Sequence, residues 1–391
     1  MRPETLTRRV GAGLSASPGA AEAAGEAARE ARAALGGAPV DLAFLFLSPE
    51  HFEDADDALA SVEHELAPRH LLGCVAEGVV GRDRELESGP GAAVWAAALA
   101  DGEIETFHSV ALDTEDGVAV TGFPELDGAD LVALLVDPFT FPATGFLSKL
   151  NEEEDAVPLV GGLAAGGGEP DTQALLVDGQ VVYEGAVGAV FRGVPVRTVV
   201  SQGCAPVGRD AVVTHAEGNV VFELAGKPAL ERLKDDLATL TPDQQQSAAS
   251  GGVLAGLVID ENRADYRRGD YLIRGLIGVD EDSGALAVGE PVRIGQTLRF
   301  HVRDAASADE DLRENLAAVV DSTQTAGALL FTCNGRGAGL FSIPDHDARA
   351  VGEALGDDAL AGFFCAGEIG PVGGKPFLHG FTATLAVFLD D

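Results

Sequence analysis

At 391 residues the chain is longer than one hydrophobic core usually organises, and its 46% hydrophobic and 23% charged residues are ordinary for a globular protein. Sixty-three acidic against 26 basic residues leave a net charge of −37, which argues against nucleic acid or an anionic membrane as a partner. Lysine occurs only at positions 149, 227, 234 and 375, a bias that fits either a halophile or a high-GC genome. The longest apolar run, Ala92 to Ala100, falls well short of the ~20 residues a membrane helix needs. The N-terminus, Met1 to Val10, has no apolar core after its charges and is not a secretory signal. Cys74, Cys204, Cys333 and Cys365 form no CxxC pair, so reduced thiols in the cytoplasm are expected rather than disulfides or a zinc site.

In chain order, Ser17-Pro18 followed by an Ala/Glu/Arg-rich run to Leu35 and closed by Gly36-Gly37 predicts a capped helix. Val40 to Leu47 reads as a buried strand, and a second helix over about 53–66 leads into the strand that delivers Cys74. Strands follow at Val94 to Leu99, where the alanines also allow helix, and at Ile104 to Val110 and Leu131 to Val136. After a helix near Phe146 to Asn151 comes the glycine-rich Val160 to Gly168. Asp178-Gly179 between apolar runs then predicts a hairpin over 175–183. Further strands are read at 188–191, 196–200, 212–215 and 219–224, and a helix opens at Lys227-Pro228. A boundary placed there gives domains 1–225 and 226–391. Beyond it, Gln244 to Gly252 reads as a polar loop and 253–259, 271–278 and 298–303 as strands. An acidic helix over about 308–325, a strand at 328–333, a glycine loop at 334–339 and a helix at 347–355 follow. Strands in runs with few separated helices predict an α+β fold of two domains with mixed or antiparallel sheets.

The chain closes on its most unusual stretch. Phe363, Phe364 and Cys365 end a strand, Ala366 to Pro376 is dominated by Gly and Pro, and Phe381 to Phe388 forms a strand buried on both faces. Such a loop, held between rigid strands, is where function is expected. Cys74-x-x-Glu77-Gly78 echoes Cys365-x-x-Glu368, a hint of two related halves. Asn334-Gly-Arg-Gly-Ala-Gly339 departs from GxGxxG, and Pro344 is expected to keep its glycines from opening a helix, so a dinucleotide turn is rejected. Gly373-Gly-Lys-Pro376 fails as a P-loop, since Pro stands where Ser or Thr should hold magnesium. No motif calls for a metal or another cofactor, and Asp345-His-Asp347 reads as a helix start. Arg336, between two glycines, suits bidentate capture of a carboxylate; a structural salt bridge is an equal alternative.

Gly73-Cys-x-x-Glu-Gly78, Ser201-Gln-Gly-Cys204, Gly335-Arg-Gly337 with Leu340-Phe341, and above all Gly367-Glu-Ile-Gly-Pro-Val-Gly-Gly-Lys-Pro-Phe-Leu-His-Gly380 resemble the two-part FIST N and FIST C module. The resemblance runs from about residue 5 to the end. It implies an intracellular sensory or signal-transduction protein that binds small molecules such as amino acids, and supplies no catalytic residues. With the module filling the chain, signalling would pass to a separate protein partner.

The expected ligand site lies between the domains, at Cys74, Glu77, Gly78, Gly161, Gly162, Gly335, Arg336, Gly337, Cys365, Glu368, Gly373, Gly374 and His379. Arg336 would hold a ligand carboxylate and Glu77 or Glu368 an amino group, so that Arg336→Ala removes binding and leaves the fold intact. Two alternatives are a cysteine enzyme using Cys365 or Cys74, and an interaction scaffold whose glycines only pack strands.

Overall fold

A computed structural model describes residues 8–99, 102–115, 117–153, 156–320 and 324–390. Met1 to Thr7, where the family resemblance and the terminal reading begin, and Ala100, in the longest apolar run, lie outside the described residues.

The chain opens with strand β1 (Arg9–Ser15), which sequence reading did not assign, and helix α1 (Ala20–Ala34), whose alanine face is buried. Then come β2 (Leu42–Leu47), α2 (Ala55–Leu66), β3 (His70–Val75), β4 (Val79–Gly81), β5 (Arg84–Leu86) and β6 (Ala92–Ala98). The run that also allowed helix is β6, with every residue buried around Trp95. Next are β7 (Glu103–Thr114), β8 (Gly117–Thr121), β9 (Leu131–Val136), α3 (Ala143–Leu150) and β10 (Leu159–Leu163). The expected hairpin is β11 (Leu175–Val177) and β12 (Gln180–Val182), followed by β13 (Ala186–Arg192) and β14 (Val196–Gln202).

A central stretch supplies β15 (Cys204–Glu217), β16 (Val220–Leu224), β17 (Lys227–Pro228), α4 (Ala229–Leu237) and α5 (Pro242–Gly251). The segment expected as a polar loop is therefore mostly helix. Thr241 and Gln244 form a reciprocal capping box and Pro242 takes the first turn, which outweighs the segment's weak apolar pattern. Strands β18 (Val253–Val258), β19 (Tyr271–Asp280), β20 (Ala285–Val288) and β21 (Thr297–Arg303) follow. Helix α6 (Ala305–Val320) starts earlier than expected, and the last part of its predicted span, 321–323, lies outside the described residues. The chain ends with β22 (Thr325–Cys333), α7 (Gly337–Phe341), α8 (His346–Leu355), β23 (Leu360–Cys365), β24 (Glu368–Val372), β25 (Lys375–His379) and β26 (Thr382–Leu389). The glycines after β22 do open a helix, contrary to the reading from Pro344. It is one short turn, closed by left-handed Ser342 before the proline is reached.

The result is α+β with mixed and antiparallel sheets, in two compact units. The first takes the described residues up to Val200 together with Arg313–Leu378 and those from Thr382 onward; the second takes Ser201–Leu312 and His379–Phe381. Compactness thus groups residues differently from chain order. The second unit is a seven-stranded sheet, β15-β21-β18-β19-β20-β16-β17, with Val213, Leu257, Phe300 and Val302 in its core.

In the first unit three sheets share one plan. A parallel pair joined through helix is flanked on each side by an antiparallel strand: β6-β2-β3-β11, β13-β9-β10-β24 and β26-β22-β23-β4. The last strand of each is exchanged. The chain leaves β3 to add β4 beside β23, leaves β23 to add β24 beside β10, and leaves β10 to add β11 beside β3. The exchange closes a three-membered cycle, and one core collects Phe44 and Trp95, Leu135 and Phe191, and Phe363 and Phe388 from the three sheets.

Register makes the equivalence residue by residue. Gly73, Gly161 and Gly362 lie opposite Leu45, Leu134 and Leu330. A Cβ at any of the three would come within 2.0 Å of that leucine's carbonyl oxygen, so no side chain fits. The next residues, Cys74, Gly162 and Phe363, face Leu175, Glu368 and Val79. Cys365 is two residues further along its strand than the equivalent of Cys74. The Cys-x-x-Glu echo is thus not a structural repeat: the repeating unit is the three sheets, not two halves.

Candidate functional site

The parallel pairs β2/β3, β9/β10 and β22/β23 end in the segments around Glu77, Gly166, Asn334 and Ala366. Ligands of open parallel sheets commonly bind beyond such carboxyl ends. Here backbone bonds tie the segments together: Phe364 N–H donates to Gly78 O (2.9 Å), Asn334 N–H to Cys365 O (2.9 Å), Ala366 N–H to Leu163 O (3.1 Å) and Leu163 N–H to Gly367 O (2.8 Å). Above them exposed Glu77 accepts from the Asn334 side-chain amide, while Cys333, Asn334 and Gly335 are half-buried.

Beneath this surface lies a buried polar cluster. Arg336 is 2% exposed and its guanidinium is forked onto Asp347, with Nε donating to Oδ2 (2.7 Å) and Nη2 to Oδ1 (2.8 Å). Thr332 Oγ1 also donates to Asp347 Oδ2 (2.8 Å), and His346 Nδ1 lies 2.9 Å from Oδ1. Burial alone would raise the Asp347 pKa, but the adjoining Arg336 charge outweighs it and holds the carboxyl well below the usual range. Burial likewise works against the charge on Arg336, and Asp347 reverses it, so the guanidinium stays protonated. The Phe341 ring lies 5.2 Å from the guanidinium carbon.

Glu368 is fully buried at the start of β24. Its Oε2 accepts from Thr382 N–H (3.0 Å) and Thr382 Oγ1 (2.8 Å). Desolvation raises its pKa to about 8, against the opposing pull of Thr382, Arg336 and Cys333. Glu85 is a second such group. Its Oε1 accepts from Ala348 N–H (2.9 Å), and burial with the Asp347 charge raises it to about 8.

Several atoms of this cluster stand out. Arg336 Nη1, Glu368 Oε1 and Glu85 Oε2, with Asn334 Oδ1 above them, are buried and have no hydrogen-bond partner among the described residues. A buried polar atom without a partner costs about 1–3 kcal/mol.

The structure sorts the expected site residues. Arg336, Glu368, Cys365, Gly162 and Gly335 belong to the cluster, with Glu77 and Gly78 on its upper edge. Cys365 Sγ occupies the space beside Gly162, where an added Cβ would come within 2.3 Å of it. Cys74 is buried in the apolar core, and Gly161 serves the close approach of β9. Gly337 starts α7 with its Cα against the Glu87 carboxylate, which accepts from Ala338 N–H (2.8 Å). Gly373 and Gly374 form the exposed turn between β24 and β25, with open space around them. His379 is buried and groups with the second unit.

Two expectations need correction. The Arg336 fork is already closed on Asp347, so Arg336→Ala would strand a buried carboxylate rather than leave the fold intact. Burial pushes the Cys74 and Cys365 thiols well above their ordinary values, the opposite of what a thiolate nucleophile needs. Sequence reading also missed Cys333, Thr332, Glu85 and Thr382. Asp347 was legible only as part of a helix start.

The FIST N domain pattern matches residues 41–227 and the FIST C domain pattern residues 229–371. The chain belongs to the FIST family. An uncharacterized protein of Mycobacterium tuberculosis is 44% identical over 387 residues, 98% of this FIST chain and 100% of that protein. One of Mycobacterium bovis is 42% identical over 388 residues, covering 98% and 99%. A segment of 89 residues is 37% identical to an uncharacterized protein of Methanocaldococcus jannaschii, 22% of this chain and 17% of that one. FIST domains are assigned generally to small-ligand sensing and signal transduction. Among the described residues no helix is long and apolar enough to cross a membrane.

Proposed function

We propose that this FIST protein senses a small polar carboxylate, of the amino-acid class, at the carboxyl ends of the parallel strands in its first unit. One observation carries the reading: Arg336 Nη1 and Glu368 Oε1 are both buried and both unpartnered. A ligand carboxylate would accept from Nη1, and a ligand ammonium or hydroxyl would donate to Oε1. Each bond recovers a polar group whose desolvation the fold has already met, which is how a built site gains specificity. Entry would be over half-buried Cys333, Asn334 and Gly335. All these residues lie in the first unit, so the reading needs no cleft between units. The bound state would be passed to a separate signalling protein.

The test is a stability screen of the full chain against amino acids and small carboxylates, read through Trp95, the single tryptophan, which is fully buried in the first unit. A ligand at a hundred times its dissociation constant should stabilise the native state by about 2.7 kcal/mol. The stabilisation should be stereoselective and lost in Glu368→Gln. No stabilisation by any member of the panel would overturn the proposal.

A further inference from the structure

Three of the four cysteines, Cys74, Cys333 and Cys365, come together here although 291 positions separate the first from the last. Cys333 and Cys365 are register partners at the ends of β22 and β23, and Cys74 is close enough to raise the Cys365 thiol further. They are not equivalent. Cys74 and Cys365 are fully buried, whereas Cys333 is half-buried and sits where the strand gives way to the glycine loop. Gly335 N–H donates to Cys333 Sγ (3.4 Å). On the buried side Cys333 adjoins the Glu368 carboxyl and lies in the field of the Arg336 guanidinium.

We infer that Cys333 is a covalent capture thiol for a small 2-oxo carboxylate, an acid whose aldehyde or ketone carbon adjoins the carboxylate. The inference rests on the proposed ligand site and deepens it. The ligand carboxylate accepts from Arg336 Nη1, which places the adjoining carbonyl carbon toward Cys333. The sulfur adds to that carbon, forming one S–C bond while the C=O π pair moves onto oxygen. The protonated Glu368 carboxyl gives its proton to the new alkoxide and takes one back from the thiol, giving a hemithioacetal. The step is an addition, so it has no leaving group and consumes no oxidant or reductant. Burial raises Glu368 to about 8, so near neutral pH it can both give up a proton and take one back. The addition is reversible, as a sensor requires. Among the described residues, titratable groups facing Cys333 include Glu368, Arg336 and Cys365.

The probe is glyoxylate labelled with 13C at the aldehyde carbon, mixed with the full-length protein and followed by carbon NMR. The expected result is a stoichiometric hemithioacetal signal, distinct from free aldehyde and hydrate, that is absent in Cys333→Ser. In Glu368→Gln, with folding checked by circular dichroism, the signal should build up at least tenfold more slowly. No such signal in the wild type, or one that persists in Cys333→Ser, overturns the inference. If amino acids stabilise the protein while glyoxylate gives no adduct, covalent capture falls and the non-covalent ligand site stands. If neither is seen, both fall.

Discussion

The protonation of Glu368 can be read directly from stability. Folding raises its pKa from an ordinary 4.5 to about 8, with burial as the leading cause. Below pH 4.5 the group is protonated whether or not the chain is folded, and its contribution is fully present. Between 4.5 and 8 the unfolded chain has released the proton and the native state still holds it, so stability falls as pH rises. The loss is complete above pH 8. At ~1.4 kcal/mol per pH unit, this window corresponds to about 5 kcal/mol. In Glu368→Gln an amide oxygen can still accept from Thr382 N–H and Oγ1, and nothing titrates. Glu85, raised in the same direction, is present in both proteins and cancels in the difference. Urea unfolding followed by Trp95 fluorescence at intervals from pH 4.5 to 8.5 should show the variant gaining on the wild type by several kcal/mol. A difference flat to within about 1 kcal/mol would mean that Glu368 is ionised in the native state and that the account of its environment is wrong.

Other consequences can be checked in the same way. Asp347→Ala strands the Arg336 charge in the interior and should cost about 3–5 kcal/mol in the Trp95 transition; a loss below about 1 kcal/mol would show the pair to be hydrated. Gly162→Ala drives a methyl group into Cys365 Sγ and should cost about 1–3 kcal/mol. In a Cys365→Ala background the same change should cost measurably less, and an unchanged cost would place the strain elsewhere. Thr241→Ala removes one arm of the α5 capping box and should speed amide exchange along that helix, equivalent to about 1 kcal/mol.

What the sequence revealed follows from which interactions are local. Continuous apolar runs such as Leu42–Leu47 and Leu131–Val136 announce buried strands, and the Asp178-Gly179 turn fixes its hairpin. The α5 capping box was also present as Thr-Pro-Asp-Gln, but the glutamines and serine around it read as loop. Strand exchange among the three sheets was not legible, because β4 pairs with a strand some 280 residues away and no spacing rule encodes that. Arg336 was legible as a functional cation or as half of a salt bridge. Only geometry shows it forked onto Asp347 with one nitrogen to spare. Cys333 looked like an ordinary strand end. What sets it apart from Cys365 is its partial exposure, which depends on where the glycine loop turns away.

The three-sheet cycle supplies an internal control for the candidate site. At one register position the sheets pair Cys74 with Leu175, Phe363 with Val79, and Gly162 with Glu368. Two of the three are apolar, so the architecture is satisfied there by ordinary packing. In the third, a glycine makes room for the Cys365 sulfur and its register partner is a buried carboxyl group, one oxygen held by Thr382 and the other unpartnered. Packing rules would fill that position with an aliphatic residue, and a buried, half-satisfied carboxyl costs stability that such a residue would not. Local departures from an otherwise consistent fold are where function is expected. The departure at Glu368 sits at the carboxyl end of a parallel pair, beside a buried guanidinium with a spare donor and a half-buried cysteine. That coincidence, more than the glycine content of the closing loop, is what supports the proposed site.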